Sequence, residues 1–275
     1  MRGWWRDFTD LVLPAECGGC GRPRTVLCPR CRAVLSGSAP RRVRPVPEPS
    51  GLPAVHAAAP YADEVRAALL AHKERGALAL AGPLGAALAG AVRAGLTSER
   101  ARGRWSGRTV LLVPVPSARV AVRARGHDPV RRIAFAAAGE LRRTGTPARV
   151  LAVLRQRRAV ADQSGLGSRE RLANLAGALR VTPGGVRLLR DGPVVLVDDL
   201  MTTGASLGEA ARAVTSAVYA APVREGMGER KPGQRRKEGN PVYVPSELTG
   251  EFGAGDVICA AVVAASPDSF EINRN

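Results

Sequence analysis

The chain of 275 residues is predicted to form an α/β domain around a parallel β-sheet, preceded by a small cysteine-rich module. Two observations predict the domain: short runs that are apolar at every position, and longer segments between them with apolar residues at helical spacing. A cluster of cysteines near the N-terminus predicts the module. Apolar residues make up 45% of the chain, which is enough for a buried core and excludes global disorder.

Four of the five cysteines form two Cys-x-x-Cys pairs, Cys17 with Cys20 and Cys28 with Cys31. Each pair places two thiolates on one side of a tight turn, and two pairs complete the tetrahedral four-thiolate coordination of Zn²⁺. A redox or disulfide pair is the alternative, which a reducing cytoplasm disfavours. Because four thiolates leave no coordination position for substrate, the zinc is predicted to be structural. Cys259 lies in an apolar run and is predicted to be a buried strand residue.

Changes of composition divide the chain into three parts. Residues 1–35 form the cysteine-rich zinc knuckle, and residues 36–53, rich in Pro, Ser and Arg, form an extended linker. Residues 54–275 form the α/β domain. Within it, residues 221–252 are polar, charged and punctuated by Gly and Pro, so they are predicted to be an inserted loop with one possible short strand at 242–244.

The elements of the domain follow from the period of the apolar residues. β-Branched and aliphatic runs predict buried strands, and apolar residues three and four positions apart predict helices. Strands and helices that alternate in this way imply a parallel sheet covered on both faces. The predicted strands are 54–60, 109–115, 149–154, 193–197 and 259–265, and the predicted helices are 63–73, 78–96, 129–143, 168–175 and 205–218.

The formal net charge of +17 favours anionic partners, namely phosphates, nucleic acid or an acidic membrane surface. Solvated surface charge without any partner is the alternative. The longest uncharged stretch, 76–92, is short of a membrane span and contains Pro83. The N-terminal residues lack an apolar run long enough for a signal peptide. The chain is therefore expected to be cytoplasmic, without membrane insertion.

The most informative segment is a buried strand that runs into two adjacent acids, Asp198 and Asp199, then a loop of small residues, then a helix. Ligands of parallel sheets bind beyond the carboxyl ends of the strands. Backbone N–H groups at a helix N-terminus, together with nearby hydroxyls, can wrap a phosphate. Gly204 allows the backbone to approach the anion closely. The predicted phosphate-binding residues are Thr202, Thr203, Gly204, Ala205 and Ser206.

The two acids would repel a phosphate if they faced it directly. They fit better as hydrogen-bond acceptors for the hydroxyls of a neighbouring sugar, so the whole segment is predicted to hold a ribose 5-phosphate. The alternative is an ordinary capped helix after a core strand. A cap would explain Thr203 or Ser206 alone, but it leaves two acids at a strand end unexplained.

This segment resembles the motif with which type I phosphoribosyltransferases bind 5-phosphoribosyl 1-pyrophosphate (PRPP). The resemblance extends to the ComF family, which joins an N-terminal cysteine knuckle to a phosphoribosyltransferase domain. The chain departs from the family at His127 and Asp128, where the family more often has Phe-Asn, and in the insertion. Further matches are HKERG at 72–76, VPVPSARVAVRARGHD at 113–128, and the spaced residues Gln163, Leu166, Glu170, Arg171 and Asn174.

The resemblance implies a type I phosphoribosyltransferase fold and a transferase that uses PRPP with Mg²⁺. Asp198 and Asp199 would be the catalytic pair that holds the ribose as pyrophosphate leaves. The turn at 116–119, with Ser117 and Arg119, occupies the family's pyrophosphate-loop position. Cations that could clamp the pyrophosphate are Lys73, Arg123 and Arg125, each of which could equally be a solvated surface charge.

The sequence therefore supports two candidate functions. One is a phosphoribosyltransferase with an unknown acceptor. The other is a non-catalytic adaptor that binds PRPP or a related nucleotide and acts in DNA uptake, because ComF relatives are associated with competence. Such an adaptor would contact single-stranded DNA or competence proteins. Few aromatic residues are available for stacking on bases, the obvious ones being Trp4, Trp5 and Trp105.

Overall fold

The structure, a computed structural model, describes residues 16–103, 105–157, 175–220 and 255–273. Eight strands and seven helices lie within these ranges. The strands are β1 (Arg41–Val43), β2 (Val55–Pro60), β3 (Val110–Pro114), β4 (Ala148–Val150), β5 (Leu154–Gln156), β6 (Leu179–Val181), β7 (Val194–Met201) and β8 (Val257–Ala265). The helices are α1 (Pro29–Ser36), α2 (Asp63–Glu74), α3 (Ala81–Ala101), α4 (Arg119–Arg125), α5 (Pro129–Arg143), α6 (Gly185–Leu189) and α7 (Ala205–Ala220), with 3₁₀ turns at Leu78–Leu80 and Pro267–Asn273.

The main sheet has six strands in the order β1-β2-β8-β7-β3-β4. Every neighbouring pair is parallel except β1 with β2. The predicted α/β class with a mostly parallel sheet is confirmed. Strands β5 and β6 form a separate antiparallel pair.

Both faces of the sheet are covered, as the apolar runs predicted. Val195 and Val197 of the central strand β7 belong to the core cluster on one face, which α2, α3 and α5 cover. Val194 and Leu196 belong to the cluster on the other face, which α7 covers. Because successive strand residues point to opposite faces, a strand covered on both sides must be apolar at every position.

Several elements differ from the predictions. The strand expected at 149–154 is divided between β4, which pairs with β3, and β5, which pairs with β6 in the separate sheet. The apolar run did not indicate this division, because Leu151, Val153 and Leu154 are buried all along it. Strand β7 continues to Met201, beyond the expected end at residue 197. The elements β1, β6, α1, α4 and α6 were not expected. The predicted helix at 168–175 falls almost wholly outside the described residues, as do the strand at 242–244 and the insertion at 221–252.

Within the described residues, one helical stretch, Leu78–Ala101, is long and apolar enough to cross a membrane by length and composition. It is longer than the uncharged segment considered in the sequence. More than half of its most apolar window is buried inside the fold. Leu84, Leu88 and Leu96 are at most 2% exposed, so this helix packs as a core helix. The cytoplasmic location stays a prediction.

A buried carboxylate attaches the small antiparallel pair to α7. Glu209 accepts a hydrogen bond from the backbone N–H of Leu179 in β6 at 2.9 Å. Arg212, one turn further along α7, donates to both oxygens of Glu209 at 2.6 and 2.7 Å. The charged pair thus satisfies a backbone donor that would otherwise be buried without a partner. No pattern in the sequence indicated this contact, because Leu179 and Glu209 are 30 residues apart.

Helices α3 and α5 cross at Gly85, and the crossing predicts a large mutational effect. A Cβ at residue 85 would lie 2.4 Å from the Cβ of Ala136 and 2.9 Å from backbone atoms of Ala136 and Ala137. Because backbone cannot move aside cheaply, Gly85→Ala should lower the free energy of unfolding by about 1–3 kcal/mol, despite the better helix propensity of alanine. Urea denaturation measures this change.

The matched control is Gly139→Ala in the interior of α5, where an added Cβ meets nothing within 4 Å. This variant should be as stable as the wild type, or up to about 1 kcal/mol more stable, because alanine favours helix. Equal stabilities of the two variants would show that the helices do not cross closely at Gly85.

Candidate functional site

The four N-terminal cysteines converge on one point. Their Sγ atoms all lie within 4.8 Å of one another. The Sγ atoms of Cys20 and Cys28 are 3.6 Å apart, close to the separation of about 3.8 Å that a tetrahedral site with Zn–S bonds of about 2.3 Å requires. All four are free thiols, not disulfides. The sulfur donors and their geometry fit a structural zinc ion, as the spacing predicted.

The surroundings of the sulfur atoms also suit a metal. A Cβ at Gly19 would lie 2.8 Å from the Sγ of Cys31, so only glycine fits there. Burial acts to raise the pKa of Cys17, but hydrogen bonds from backbone N–H groups, including that of Cys28, outweigh burial and lower it to about 6. Burial raises the pKa of Cys31. A divalent cation would hold all four groups as thiolates.

The cysteine module packs directly against the domain. Cys31 and Leu35 of α1 lie in the same core cluster as Val65 and Leu69 of α2. The guanidinium of Arg30 reaches a carboxylate of α2, Glu64, at 3.0 Å. The division into a knuckle, a linker and a domain at residues 35 and 53 stays a prediction, but the predicted linker contains β1, which pairs with β2.

The predicted acids lie inside the carboxyl-terminal half of β7, not after it. Asp198 is half-buried and Asp199 is buried. One oxygen of Asp199 lies 3.3 Å from the Nζ of Lys73 in the last turn of α2. Asp198 accepts a hydrogen bond from the backbone N–H of Asp199 at 2.9 Å. The structure therefore brings together three predicted site residues from distant parts of the chain.

The surroundings of the acids and of Lys73 shift the pKa values of Asp198 and Lys73. Burial raises the pKa of Asp198 well above its usual range, the charge of Asp199 raises it further, and the Lys73 ammonium acts in the opposite direction. The carboxylate of Asp199 raises the pKa of Lys73, and burial opposes that effect. Lys73 thus stays charged at neutral pH beside Asp199. The role of Lys73 as a pyrophosphate clamp stays a prediction, and in the structure its ammonium contacts Asp199.

The predicted phosphate loop joins β7 to α7. Residues 202–204 form bends, and α7 begins at Ala205. Gly204 has φ 74°, and a Cβ there would lie 2.9 Å from Leu52 and 3.3 Å from Pro45. Two features therefore require glycine at this one position: the left-handed backbone and the close packing of the predicted linker. The hydroxyl of Thr203 faces the N–H of Ala205 at 3.5 Å.

The remaining predicted cations lie at the adjacent strand. The turn after β3 carries Ser117, which is half-buried, and Arg119, which is exposed. Because β3 and β7 are parallel neighbours, both turns lie at the same edge of the sheet. Arg123 is exposed, whereas Arg125 forms two hydrogen bonds to Glu74 at 2.9 and 2.8 Å. The spaced motif of Gln163, Leu166, Glu170, Arg171 and Asn174 lies outside the described residues, and so do Trp4 and Trp5.

Two histidines that the sequence analysis gave no role connect α2 to the α4–α5 turn. The ring nitrogens of His72 face the backbone oxygens of Ala77 and Pro129 at 3.3 and 3.4 Å. One ring nitrogen of His127 faces the backbone oxygen of His72 at 3.2 Å, and burial lowers the pKa of His72. The only sequence signal was the position of His72 beside Lys73. Asp128 caps α5 by accepting from the N–H of Arg131.

Comparisons with protein-family models, with curated proteins and with solved structures found no match to this chain.

The cysteine cluster predicts one zinc ion per chain. Cys28→Ser should lose the metal and unfold at lower denaturant concentration, because zinc binding stabilises only the folded arrangement of the ligands. Elemental analysis of the purified protein measures the stoichiometry. Cys259→Ala, far from the cluster, is the control and should keep one zinc. Wild-type protein without zinc, with four freely titrating thiols, would contradict the site.

The raised pKa of Asp198 predicts a pH-dependent gain of stability in Asp198→Asn. An aspartate of the unfolded chain titrates near pH 3.9 (about the model-peptide value), so the folded state holds this proton more tightly. As pH rises from about 4 through the raised pKa of Asp198 in the folded state, ionisation of this acid therefore lowers the free energy of unfolding. Asparagine resembles the protonated acid, so the variant should be more stable than wild type at pH 7 and equally stable below about pH 4.

Urea denaturation at both pH values tests this expectation. Asp191→Asn is the matched control, because Asp191 precedes the same strand in an exposed position, paired with Arg149. It should show no pH-dependent gain. A variant at Asp198 that is equally destabilised at both pH values would show that the ionised carboxylate is well solvated.

Proposed function

We propose that this chain is a PRPP-binding phosphoribosyltransferase-like protein of the ComF type, which transfers or holds a phosphoribosyl group with Mg²⁺. The observation that carries the proposal is the arrangement at the end of β7. Two acids compensated by Lys73 run directly into an accessible loop at the N-terminus of α7. A sugar phosphate needs both halves of this arrangement side by side.

The loop supplies the phosphate-binding half. The first turn of α7 presents backbone N–H groups without partners inside the helix, and the helix dipole favours an anion there. Thr202 is exposed, and Thr203 and Ser206 are half-buried, so their hydroxyls can reach an anion at the surface. The packing of Gly204 against Leu52 fixes the loop. The 5-phosphate of PRPP fits this position.

The acids supply the ribose-binding half. Carboxylate oxygens accept strong hydrogen bonds from sugar hydroxyls. The ammonium of Lys73 offsets one carboxylate charge, so the pair repels the neighbouring phosphate less than two isolated acids would. Asp198 and Asp199, which two residues separate from the phosphate loop, would thereby hold the ribose in the order in which ribose and 5-phosphate are joined.

Transfer from PRPP breaks the bond between C1 of the ribose and pyrophosphate and develops positive charge on the sugar. Fixed negative groups near the ribose and positive groups near the leaving group lower the barrier for this step. Ser117 and Arg119 lie on the turn after the neighbouring strand β3 and would bind the pyrophosphate. Mg²⁺, when bound with PRPP, would neutralise the pyrophosphate and be held mainly by ligand oxygens and water.

The cysteine cluster supports the ComF assignment within this proposal. Its thiols suit zinc, and its helix packs on α2, the helix that carries Lys73. A zinc-stabilised module would therefore hold in place the element that compensates the acids. The ComF family likewise combines a cysteine knuckle with a phosphoribosyltransferase domain.

The double variant Asp198→Asn, Asp199→Asn tests the proposal. At a pH above the raised pKa of Asp198, where both acids are ionised, each hydrogen bond from a ribose hydroxyl to a charged acceptor is worth about 1.5–3 kcal/mol, so affinity for PRPP should fall about tenfold or more for each residue. Isothermal titration with PRPP and Mg²⁺ measures the affinity, and circular dichroism confirms folding. A screen of acceptors for pyrophosphate release then separates a transferase from a non-catalytic binding protein.

Asp191→Asn, which removes an exposed acid before the same strand, is the control and should bind PRPP as the wild type does. A folded double variant with wild-type affinity would refute the ribose role of the acids. A wild-type protein that binds no PRPP in the presence of Mg²⁺ would refute the proposed function.

A further inference from the structure

A cavity of about 260 Å³ lies beside the turn after β3, and four arginines line it. Folding brings these arginines together from three elements. Arg119 and Arg123 belong to α4, Arg131 to α5 and Arg155 to β5. Among the residues that the structure describes, none of these four guanidinium groups forms an ion pair. Arg119, Arg123 and Arg131 are exposed and Arg155 is half-buried, so four positive charges gather at one solvent-accessible site, where they attract anions.

The polar neighbours of the arginines leave this charge uncompensated. Arg155 donates to the backbone oxygens of Ala152 and Leu154 at 2.9 and 2.8 Å, which orients the side chain without neutralising it. Arg131 lies over the ring of Phe135, 5.5 Å from its centroid. Among the described residues that line the cavity, the one carboxylate is that of Asp128, which accepts the N–H that caps α5. Within the described lining, four guanidinium groups therefore meet one acid.

The cavity also has an apolar side. Val122 and Leu154 line it together with Pro114 and Pro116. Apolar walls with a few placed charged groups are typical of sites for small organic ligands, whereas a hydrated inorganic anion gains nothing from them. The chemistry of the walls therefore fits a small organic molecule that carries an anionic group.

The position of the cavity relates it to the acids. Pro114, the last residue of β3, lines the cavity, and β3 lies next to β7 in the sheet. Parallel strands end at the same edge, so a molecule in the cavity lies beside the ribose site of Asp198 and Asp199. The two substrates of a group transfer must meet in this way.

We infer that the arginine-lined cavity binds the second substrate, a small organic acid whose carboxylate or phosphate contacts Arg131 and Arg155. The inference rests on the proposed function and gives the acceptor a chemical class. Pyrophosphate alone would need only the part of the cavity that Ser117 and Arg119 line. Arg131 and Arg155 add charge on other elements, and the apolar walls add a surface that pyrophosphate cannot use.

Benzoate, phenyl phosphate and neutral benzamide are suitable probes, because they share an aromatic body and differ in charge. Calorimetric titration of the full chain, with and without PRPP and Mg²⁺, should show that at least one of the two anions binds about tenfold or more tightly than benzamide. The preferred anion distinguishes a carboxylate acceptor from a phosphate acceptor. Arg131→Gln and Arg155→Gln should each weaken that anion by about tenfold while PRPP affinity stays unchanged.

Arg132→Gln is the matched control, because Arg132 is the exposed neighbour of Arg131 on α5 and does not line the cavity. It should bind the anion as the wild type does. If PRPP binds but neither anion does, or if the folded Arg131 and Arg155 variants bind the anion like the Arg132 variant, the inference is overturned and the proposed function stands. If the anion binds at the arginines but PRPP does not bind, the proposed function fails, and the acceptor role fails with it.

Discussion

The ion pair between Lys73 and Asp199 is the interaction on which the candidate site depends. Two adjacent acids at the edge of a parallel sheet repel each other, and burial increases that repulsion. A cation 3.3 Å from Asp199 offsets it. Removal of that cation would leave buried negative charge beside a loop that is otherwise suited to anions. The placement of Lys73 therefore offsets the charge of the acids beside the predicted phosphate loop.

Contacts with three other regions hold Lys73 in place. Arg30 of the cysteine module bonds to Glu64 in the first turn of α2, and the module's apolar face packs against the same helix. At the other end, Glu74 binds Arg125 of α4. One ring nitrogen of His72 faces the backbone oxygen of Pro129, the first residue of α5. The cysteine module, α4 and α5 thus all bear on the position of one ammonium group.

The same edge of the sheet carries charge of both signs in separate places. Acids lie in the carboxyl-terminal half of the central strand β7, and arginines gather beyond the adjacent strand β3. This separation suits a reaction in which a sugar becomes positive while an anionic group leaves. Glu209 of α7 holds β6, the strand that pairs with the Arg155-bearing strand β5. The helix that begins at the phosphate loop therefore also supports the wall of the arginine cavity.

The sequence by itself determined the features that depend on neighbours along the chain. Cysteine spacing predicted the four-thiol cluster, continuous apolar runs predicted the doubly covered sheet, and the order of strand, acids and small residues predicted the loop before α7. Tertiary structure alone decided that Lys73 meets Asp199, that Arg125 is paired with Glu74, and that four arginines share one cavity. The reason is that spacing along the chain fixes local geometry, whereas the pairing of distant charges depends on how the helices pack over the sheet.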